Sequence, residues 1–277
     1  MKKLVTTLLI LATFIFYPFS FVYANTYSVE FSGSNSAYRN DESALEFGND
    51  ANFTVECWFN LDTFTGLHVC ATKFNGATNN KSWMIGPQLQ SGTNNDWIRL
   101  QTSNDGSSNP IVIVQDTGQD FSTGTWYHIA VSFQSEGDDQ ATIEFYLNGS
   151  SVNTLNNQGD DDIYDGNARL EIGALNSGGG NFLDGHVDEV RIWSDVRTDA
   201  EIADNYDQEL TGGESDLLAY YKFENDYTDE TSNALDLTAN GTPTFETDVP
   251  FAGGGGGGDA PPNNFPLYLL MREKHHV

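Results

Sequence analysis

A long series of short alternating segments constrains the fold of this chain more than any other feature of its sequence. Between Tyr27 and Phe245, apolar and polar residues alternate in run after run, a period typical of β-strands with one buried face. The runs predict strands at residues 27–31, 53–59, 98–100, 111–114, 126–133, 142–147, 170–172, 187–193 and 217–223. Turn-forming pairs separate many of them: Asn148-Gly149, Asp165-Gly166, Asp184-Gly185 and Asp105-Gly106. This spacing predicts an all-β protein, an antiparallel β-sandwich or jelly roll.

One short helix is predicted near residue 200. Thr198 and Glu201 have the spacing of a capping box, and Asp199 favours the positive end of the helix dipole. The apolar residues of this segment share one helical face: Ile202, Ala203 and Tyr206. We expect the helix to cover one end of the sandwich.

The charge of the chain narrows the classes of ligand. The sequence has 12 Lys and Arg against 40 Asp and Glu, a formal net charge of −28. A surface this acidic repels phosphate backbones, which excludes nucleic acid as an expected partner. It favours neutral ligands or divalent cations.

The N-terminal segment, residues 1–24, has the form of a secretory signal peptide. A basic start is followed by an apolar stretch over residues 4–16, and Val22 and Ala24 occupy the −3 and −1 positions of a cleavage site. An uncleaved membrane anchor is the alternative, although Pro18 interrupts the apolar run. The segment therefore predicts secretion or display at the cell surface.

The predicted domain covers residues 25–250, after which the composition changes abruptly. Residues 251–264 form a linker with six consecutive glycines and two prolines. The tail, residues 265–277, is too short to span a bilayer and has an apolar patch followed by basic residues. It has the form of a shortened sorting or anchoring signal, or of a disordered tail.

The two cysteines, Cys57 and Cys70, are predicted to form a disulfide bond. Export makes oxidation possible, and the turn predicted around residues 61–66 lies halfway between them. They would then face each other across a hairpin. Two buried free thiols are the alternative.

The segment from Phe182 to Ile202 resembles a signature of the concanavalin A-like superfamily. In laminin G-like and pentraxin modules, Phe-x-Gly is followed by Val-Arg-Ile-Trp or Tyr and by a short helix with Glu-Ile; here Val190-Arg-Ile-Trp193 matches. Supporting matches are Phe31-Ser-Gly33, Phe53 to Trp58, Trp126 to Ala130 and Phe145 to Gly149. The resemblance implies a concanavalin A-like jelly roll with one short helix. It does not select a function, because this fold hosts lectins, adhesins and enzymes.

The resemblance also implies a structural calcium ion. Asp188 lies where the final strand of laminarinase-type β-glucanases carries a calcium-binding Asp, with backbone carbonyls supplied from around Ser32 and Gly33. Calcium takes several hard oxygen ligands, which a carboxylate and carbonyls supply. The alternative for Asp188 is an exposed carboxylate paired with Arg191.

Further cation sites are weaker. A pentraxin-like site would use Asn79, Asn80 and Asn176, but amides bind calcium more weakly than carboxylates, so polar loops are the favoured interpretation. The acidic run of residues 160–162 with Asp165 lacks the spacing of an EF-hand loop, and we interpret it as solvated.

A glycan-binding patch needs an exposed aromatic ring flanked by amides and carboxylates. Trp83 and Trp97 fit this requirement, with polar neighbours at Asn79, Asn80, Asn95 and Asp96. Core packing is the alternative for both tryptophans. Three further tryptophans are predicted in the core: Trp58, Trp126 and Trp193.

No pattern of catalytic residues supports an enzyme. The carboxylates between Glu224 and Glu230 resemble the Glu-x-Asp-x-x-Glu strand of β-glucanases only loosely, and turn-forming residues around them predict a loop. We therefore expect a secreted or surface module, non-catalytic, that binds an extracellular glycan or glycoprotein. A glycan-active hydrolase of the same fold and a structural spacer remain alternatives.

Overall fold

A computed structural model describes residues 25–40, 43–63, 66–75, 78–89, 95–107, 111–175 and 181–251 of the 277-residue chain. The predicted signal peptide, the tail of residues 265–277, most of the linker and Asn176 lie outside the described residues. The described residues fold into two antiparallel sheets that pack face to face, so the predicted all-β sandwich is confirmed.

The first sheet has eight strands and contains most of the predicted ones. Its order is β10-β9-β8-β3-β12-β1-β15. β1 pairs with the first part of β12, and β13 pairs with the last part, from Val190 to Trp193. The strands are β1 (Ser28–Ser32), β3 (Asn52–Leu61), β8 (Trp126–Ser135), β9 (Gln140–Leu147), β10 (Ser150–Gly159), β12 (Asp184–Trp193), β13 (Leu217–Tyr221) and β15 (Thr244–Glu246).

The second sheet has seven strands, in the order β14-β2-β11-β4-β5-β6-β7. The strands are β2 (Ser36–Arg39), β4 (Ala71–Asn75), β5 (Asn80–Gln88), β6 (Trp97–Thr102), β7 (Ile111–Asp116), β11 (Leu170–Ile172) and β14 (Thr238–Asn240). A short 3₁₀ helix, η1, spans Ser43–Leu45.

The core fills the space between the sheets with one face of each strand. On β3, Phe53, Val55 and Phe59 are buried in this core, because alternate residues of a strand point to the same side. Phe53 stacks on Phe133 of the neighbouring β8 at a centroid distance of 5.1 Å. Every strand therefore also has an outer face, which points away from the opposite sheet.

Two of the predicted glycine turns differ in outcome. Asn148 and Gly149 both have positive φ angles, 48° and 74°, and connect β9 to β10 as a tight hairpin. Asp184 and Gly185, predicted as a turn, instead begin β12. Gly185 has φ 138°, and a Cβ there would collide with the carbonyl oxygen of Asn60 on β3. The glycine is needed for close strand approach and not for a turn.

The helix α1 (Asp199–Asn205) begins with the predicted capping box at Thr198 and Glu201. Its buried residue, Ile202, packs against Ala130 and Tyr146. Since these residues point outwards from β8 and β9, the helix covers the outer face of the eight-stranded sheet. The expectation that it covers one end of the sandwich was wrong.

No helix among the described residues is long and apolar enough to cross a membrane.

Candidate functional site

The aromatic and amide patch predicted from the sequence is not a single surface. Trp83 is fully buried, with its ring 6.1 Å from that of Phe47 and 6.4 Å from that of Phe53. Trp83 and Ile85 alternate towards the core on β5, so the expectation of an exposed ring at Trp83 is not met.

The remaining residues of that patch lie near opposite ends of strand β5. Trp97 is half-buried on β6 opposite Gln88, at the end of β5, whereas Asn80 is the first residue of β5. Asn80 donates to Asn167 Oδ1 at 2.7 Å, and Asn79 is exposed nearby. The structure therefore separates Asn79 and Asn80 from Trp97.

Asp96 and Asn95, beside Trp97, have local structural roles. The Asp96 carboxylate is buried and accepts the backbone N–H of Phe121 at 2.8 Å. Asn95 donates to Asp116 Oδ2 at 3.1 Å. These contacts hold the loops that flank Trp97, whose ring is half-exposed.

An open cavity of about 240 Å³ lies near the β14 edge of the same sheet, whereas Trp97 lies near the β7 edge. Its lining combines one aromatic ring with cationic, amide, carboxylate and hydroxyl groups: Tyr38, Arg39, Asn40, Asp236 and Thr238. The pairing of β2 with β14 places Thr238 directly opposite Tyr38, although 200 residues separate them in the chain.

A polar cluster covers one face of the Tyr38 ring. The Arg169 guanidinium lies 4.2 Å from the centroid of the Tyr38 ring and pairs with Glu171 in a bidentate contact at 2.8 and 3.1 Å. Glu171 is buried and also accepts the Ser36 hydroxyl at 2.6 Å. This cluster orients the ring before any ligand arrives, which reduces the entropic cost of binding.

The side chains around the cavity are suited to hold a polar ligand by stacking and hydrogen bonds. An aromatic face covers the apolar side of a sugar ring, while amide, carboxylate and guanidinium groups fix its hydroxyls. The residues Tyr38-Arg39-Asn40 do not indicate this site in the sequence, because Asp236 and Thr238 come beside them only when β14 pairs with β2.

Asp188, the predicted calcium ligand, is completely buried on β12. Its carboxylate accepts Asn25 Nδ2 at 2.9 Å and the Glu189 backbone N–H at 2.9 Å. Burial raises the pKa of Asp188 well above its ordinary value, and the charges of Glu189 and Glu224 add to this. It is not the exposed partner of Arg191, which pairs with Glu189 at 2.6 Å.

The other predicted calcium ligands lie away from Asp188. Ser32 pairs with Asp184 at the beginning of β12, four residues before Asp188, and Gly33 follows it. Four residues of a strand extend about 13 Å, so these carbonyls and Asp188 do not form one site. The described residues contain no group of three or more His, Cys, Asp or Glu side chains arranged to hold a metal ion.

The acidic loop is a structural connection and not a solvated run. Asp161 is buried and accepts the Ser135 hydroxyl at 2.6 Å and the Gly137 backbone N–H at 3.1 Å. Asp162 and Asp165 accept further backbone N–H groups from the segment around Gly48 and Asp50. The carboxylates replace backbone hydrogen bonds that the turns themselves do not make.

Cys57 and Cys70 are both buried free thiols in the structure. Burial raises the pKa of the Cys57 thiol well above its ordinary value, and a hydrogen bond with Cys70 adds to the effect. The pair does not span a hairpin: Cys57 lies on β3 of one sheet, and Cys70 immediately precedes β4 of the other. The chain crosses between the sheets after Leu61, which the symmetric turn signal did not reveal.

A buried polar cluster lies on the outer face of the eight-stranded sheet, beneath α1, and no sequence pattern indicated it. Glu56 accepts Trp193 Nε1 at 2.8 Å and contacts His128 Nε2 at 2.9 Å. Arg191 reaches Glu56 at 3.7 Å and Glu189 at 2.6 Å.

The segment with α1 closes this cluster from above. Arg191 donates to the carbonyl oxygens of Asn205 and Gln208 at 2.9 and 2.6 Å, and Trp58 Nε1 donates to that of Tyr206 at 2.7 Å. Trp58 and Trp193 are therefore buried, but beneath the helix and not between the sheets. Trp126, also predicted in the core, is half-buried on the same outer face and donates to Asp248 at 3.1 Å.

The carboxylates between Glu224 and Glu230 lie in a loop, as predicted. Glu224 accepts the backbone N–H groups of Thr26 and Tyr27 at 2.6 and 3.1 Å. Asp229 is buried and accepts the N–H of Tyr220 at 3.0 Å. These side chains fix the loop to the segment before β1 and to β13.

Comparison with known proteins supports the fold independently. A family model described as the concanavalin A-like lectin/glucanases superfamily matches residues 31–203. A comparison with curated protein sequences finds no match.

Many solved structures are similar to this one, and two of them illustrate the similarity. A candidate carbohydrate-binding protein from Bacteroides ovatus has a TM-score of 0.58 and 20% identity, over 82% of this chain and 61% of that chain. A heptameric SAP-like pentraxin from Limulus polyphemus has a TM-score of 0.55 and 15% identity, over 82% of this chain and 97% of that chain. The chain therefore spans less than two thirds of the Bacteroides protein. With the jelly-roll topology and the family match over more than half of its length, the chain belongs to the concanavalin A-like lectin/glucanase superfamily.

Proposed function

We propose that this chain is a non-catalytic module that binds an extracellular glycan or glycoprotein through the cavity at Tyr38. One observation carries the proposal: a half-exposed aromatic ring, already held in place by Arg169, faces an open cavity with amide, carboxylate and hydroxyl groups around it. The similar Bacteroides protein is described as a candidate carbohydrate-binding protein, which agrees with the proposal, although at 20% identity the similarity shows only the fold.

A glycan array, followed by titration calorimetry on the best ligand, tests this site. We expect Tyr38→Ala to weaken binding about tenfold or more, because the lost sugar–aromatic contact is worth on the order of 1–2 kcal/mol. Trp126→Ala is the matched control, since Trp126 is a half-buried aromatic on the outer face of the other sheet. An array without any bound glycan, or equal losses in both variants, would contradict the proposal.

We also propose a structural calcium ion at Asp188, with a different set of partners from the one the sequence predicted. Asn25 is buried beside Asp188, and its Oδ1 atom makes no hydrogen bond in the structure. Glu224 accepts the backbone N–H of Thr26, the residue after Asn25, at 2.6 Å, and its charge contributes to the raised pKa of Asp188. These oxygens suit a hard cation, so Asp188, Asn25 and Glu224 would hold it, and its charge would offset the buried carboxylates.

Thermal unfolding with calcium and with chelator tests the ion. At a calcium concentration of 100 times Kd, binding adds about 2.7 kcal/mol to the free energy of unfolding, so Tm rises by several degrees. Asp188→Asn removes this response, whereas Asp165→Asn in the acidic loop retains it. A Tm insensitive to calcium, or a response lost only in Asp165→Asn, would refute this placement.

The site of action follows from the N-terminal segment. We propose cleavage before Asn25 and function outside the cell. Asn25 is the first described residue and is buried against Asp188, so removal of residues 1–24 leaves these contacts in place. N-terminal sequencing of the exported protein should begin at Asn25; recovery of the full-length chain in membranes would instead indicate an anchor.

Oxidation outside the cell makes the predicted disulfide part of the same proposal. A hydrogen bond with Cys70 contributes to the raised pKa of Cys57, and a disulfide between the two residues would join the two sheets. Intact-mass measurement of exported protein should show the loss of two hydrogen atoms, which reduction reverses. Full alkylation of both thiols after unfolding, without reductant, would show that they stay free.

A further inference from the structure

We propose that the outer face of the seven-stranded sheet carries a second binding site, at Trp97 and Arg99, for an acidic sugar. The sugar ring would stack on Trp97, and its carboxylate or sulfate group would bind Arg99. This inference rests on the proposed glycan-binding function and names a ligand class for a different part of the sheet. Four strand spacings separate β2 from β6, so the site lies about 19 Å from Tyr38.

Arg99 makes no ion pair with any described residue. Its terminal nitrogens donate to neutral amide oxygens, Gln88 Oε1 at 3.0 Å and Gln101 Oε1 at 2.7 Å. Three other arginines contact a carboxylate within 3.2 Å: Arg169 with Glu171, Arg191 with Glu189, and Arg197 with Asp195. The chain has 40 acidic residues against 12 basic ones, yet no described carboxylate pairs with Arg99.

The environment of Arg99 favours an anion from outside. Burial lowers the pKa of its guanidinium, because the half-buried charge is partly removed from water. The residues paired directly with it are uncharged, Gly86 on β5 and Val114 on β7. An anionic ligand would supply the missing counter-charge.

The two glutamines fix the guanidinium without neutralising it. They use two of its five N–H donors, and Nε has no partner among the described residues. A fixed, planar fork matches the geometry of a carboxylate or a sulfate, which is why arginine recognises such groups well. The hydrogen bonds therefore position a charge that remains free for a ligand.

Trp97 supplies the surface for the rest of the sugar. Trp97 and Arg99 are two residues apart on β6 and share its outer face, since Ile98 and Leu100 point into the core. That spacing is about 7 Å, roughly the size of one sugar ring. Asp116 pairs with Trp97 and not with Arg99, and its carboxylate accepts Asn95 Nδ2 and the Gly118 N–H.

The experiment compares charged and neutral forms of one ligand by titration calorimetry. The probes are an oligogalacturonate, the same oligosaccharide with its carboxyl groups reduced to alcohols, and a sulfated oligosaccharide. The proteins are the wild type, Arg99→Gln, Arg99→Lys, and the control Arg197→Gln on the other sheet's side. Circular dichroism and thermal unfolding establish that each variant is folded.

We expect the wild type and Arg197→Gln to bind an acidic oligosaccharide about tenfold more tightly than the neutral one. Arg99→Gln should lose this preference, and Arg99→Lys should recover only part of it because lysine lacks the fork. The uronate and sulfate arms identify which anion is recognised.

Equal affinity for charged and neutral forms in the wild type would overturn this inference while leaving glycan binding at Tyr38 intact. A preference that survives Arg99→Gln would overturn it too. If none of the three oligosaccharides binds, the acidic site is refuted. The Tyr38 site is tested separately, by the glycan array and by Tyr38→Ala.

Discussion

The two outer faces of this sandwich use the same strand geometry for opposite purposes. On the eight-stranded sheet, α1 and the chain around it cover Glu56, His128 and Arg191, and the carboxylate of Glu56 contacts both of the other side chains. On the seven-stranded sheet, the Tyr38 cavity is open and Arg99 has no carboxylate partner. One face is covered and its charges contact one another, whereas the other face is open.

The arginines of the two faces make the difference concrete. Burial lowers the pKa of Arg191, but Glu56 and Glu189 more than reverse this, so the net pKa is raised and the group stays charged. For Arg99, burial lowers the pKa with no acidic group to oppose it. Removing one partner of a buried ion pair destabilises the fold, because the other charge is left buried and unpaired. A charge without a protein partner can instead be neutralised by a ligand.

The largest effect is expected from Arg191→Met. It leaves Glu56 and Glu189 buried without a counter-charge, and removal of one partner from a buried ion pair costs about 3–5 kcal/mol. Urea unfolding followed by circular dichroism measures this loss. Binding at Tyr38 should be unchanged in the fraction that remains folded.

Arg197→Met is the control for that measurement. Arg197 is more exposed than Arg191 and pairs with Asp195 and Glu201 at 3.2 and 3.1 Å, so its loss should cost no more than about 1 kcal/mol. Similar effects of the two substitutions would show that the cluster under α1 is solvated, and the contrast between the faces would be lost.

The second effect is a pH dependence that belongs to Glu56. Burial raises the pKa of this carboxyl, but Arg191, His128 and Trp193 together outweigh burial and bring it from 4.5 to about 2. Because the folded-state pKa is depressed, its contribution is complete above pH 4.5 and is lost as the pH falls towards 2. A shift of this size corresponds to about 3 kcal/mol.

The measurement is the difference in unfolding free energy between the wild type and Glu56→Gln at several pH values. We expect it to be constant from pH 7 to about 5 and to shrink by about 2 kcal/mol at pH 3. Glu246→Gln on the exposed β15 serves as the control. A difference that does not change between pH 5 and 3 would mean that Glu56 is not held ionised by its neighbours.

The fold was largely predictable from the sequence, and the reason is the period of two. All nine predicted strands are present, because each has a buried and an outer face that the alternation records. The strands that were not predicted lack a clear alternation of this kind. The edge strand β10 (Ser150–Gly159) has only two apolar residues that pack on the core, Val152 and Leu155. They are three positions apart and register shifts interrupt the strand twice, so the alternation is absent and only the pairing with β9 defines it.

The candidate site was much less predictable, because it depends on contacts between distant segments. Trp83 and Trp97 look alike in the sequence, yet the parity of β5 sends Trp83 into the core. Tyr38 gained its partners Asp236 and Thr238 only through β14, a three-residue strand with no apolar pattern. A pattern within one strand determines which face a residue occupies, but not which surface remains open.

The smallest effect, on stability, is expected from Arg99→Gln. Glutamine keeps a polar side chain at this position, and no carboxylate among the described residues loses a partner when the charge is removed. The half-buried charge itself carries a desolvation cost, so its removal should change the unfolding free energy by no more than about 0.5 kcal/mol, or raise it slightly.

Urea unfolding beside Arg191→Met, in the same buffer, gives the direct contrast. A loss above about 2 kcal/mol for Arg99→Gln would place this arginine among the structural ones, because substitutions on an open face rarely cost that much. A neutral or positive change would mean that the fold does not require the charge. A residue that carries a desolvation cost without stabilising the fold is the kind of group that a binding site retains.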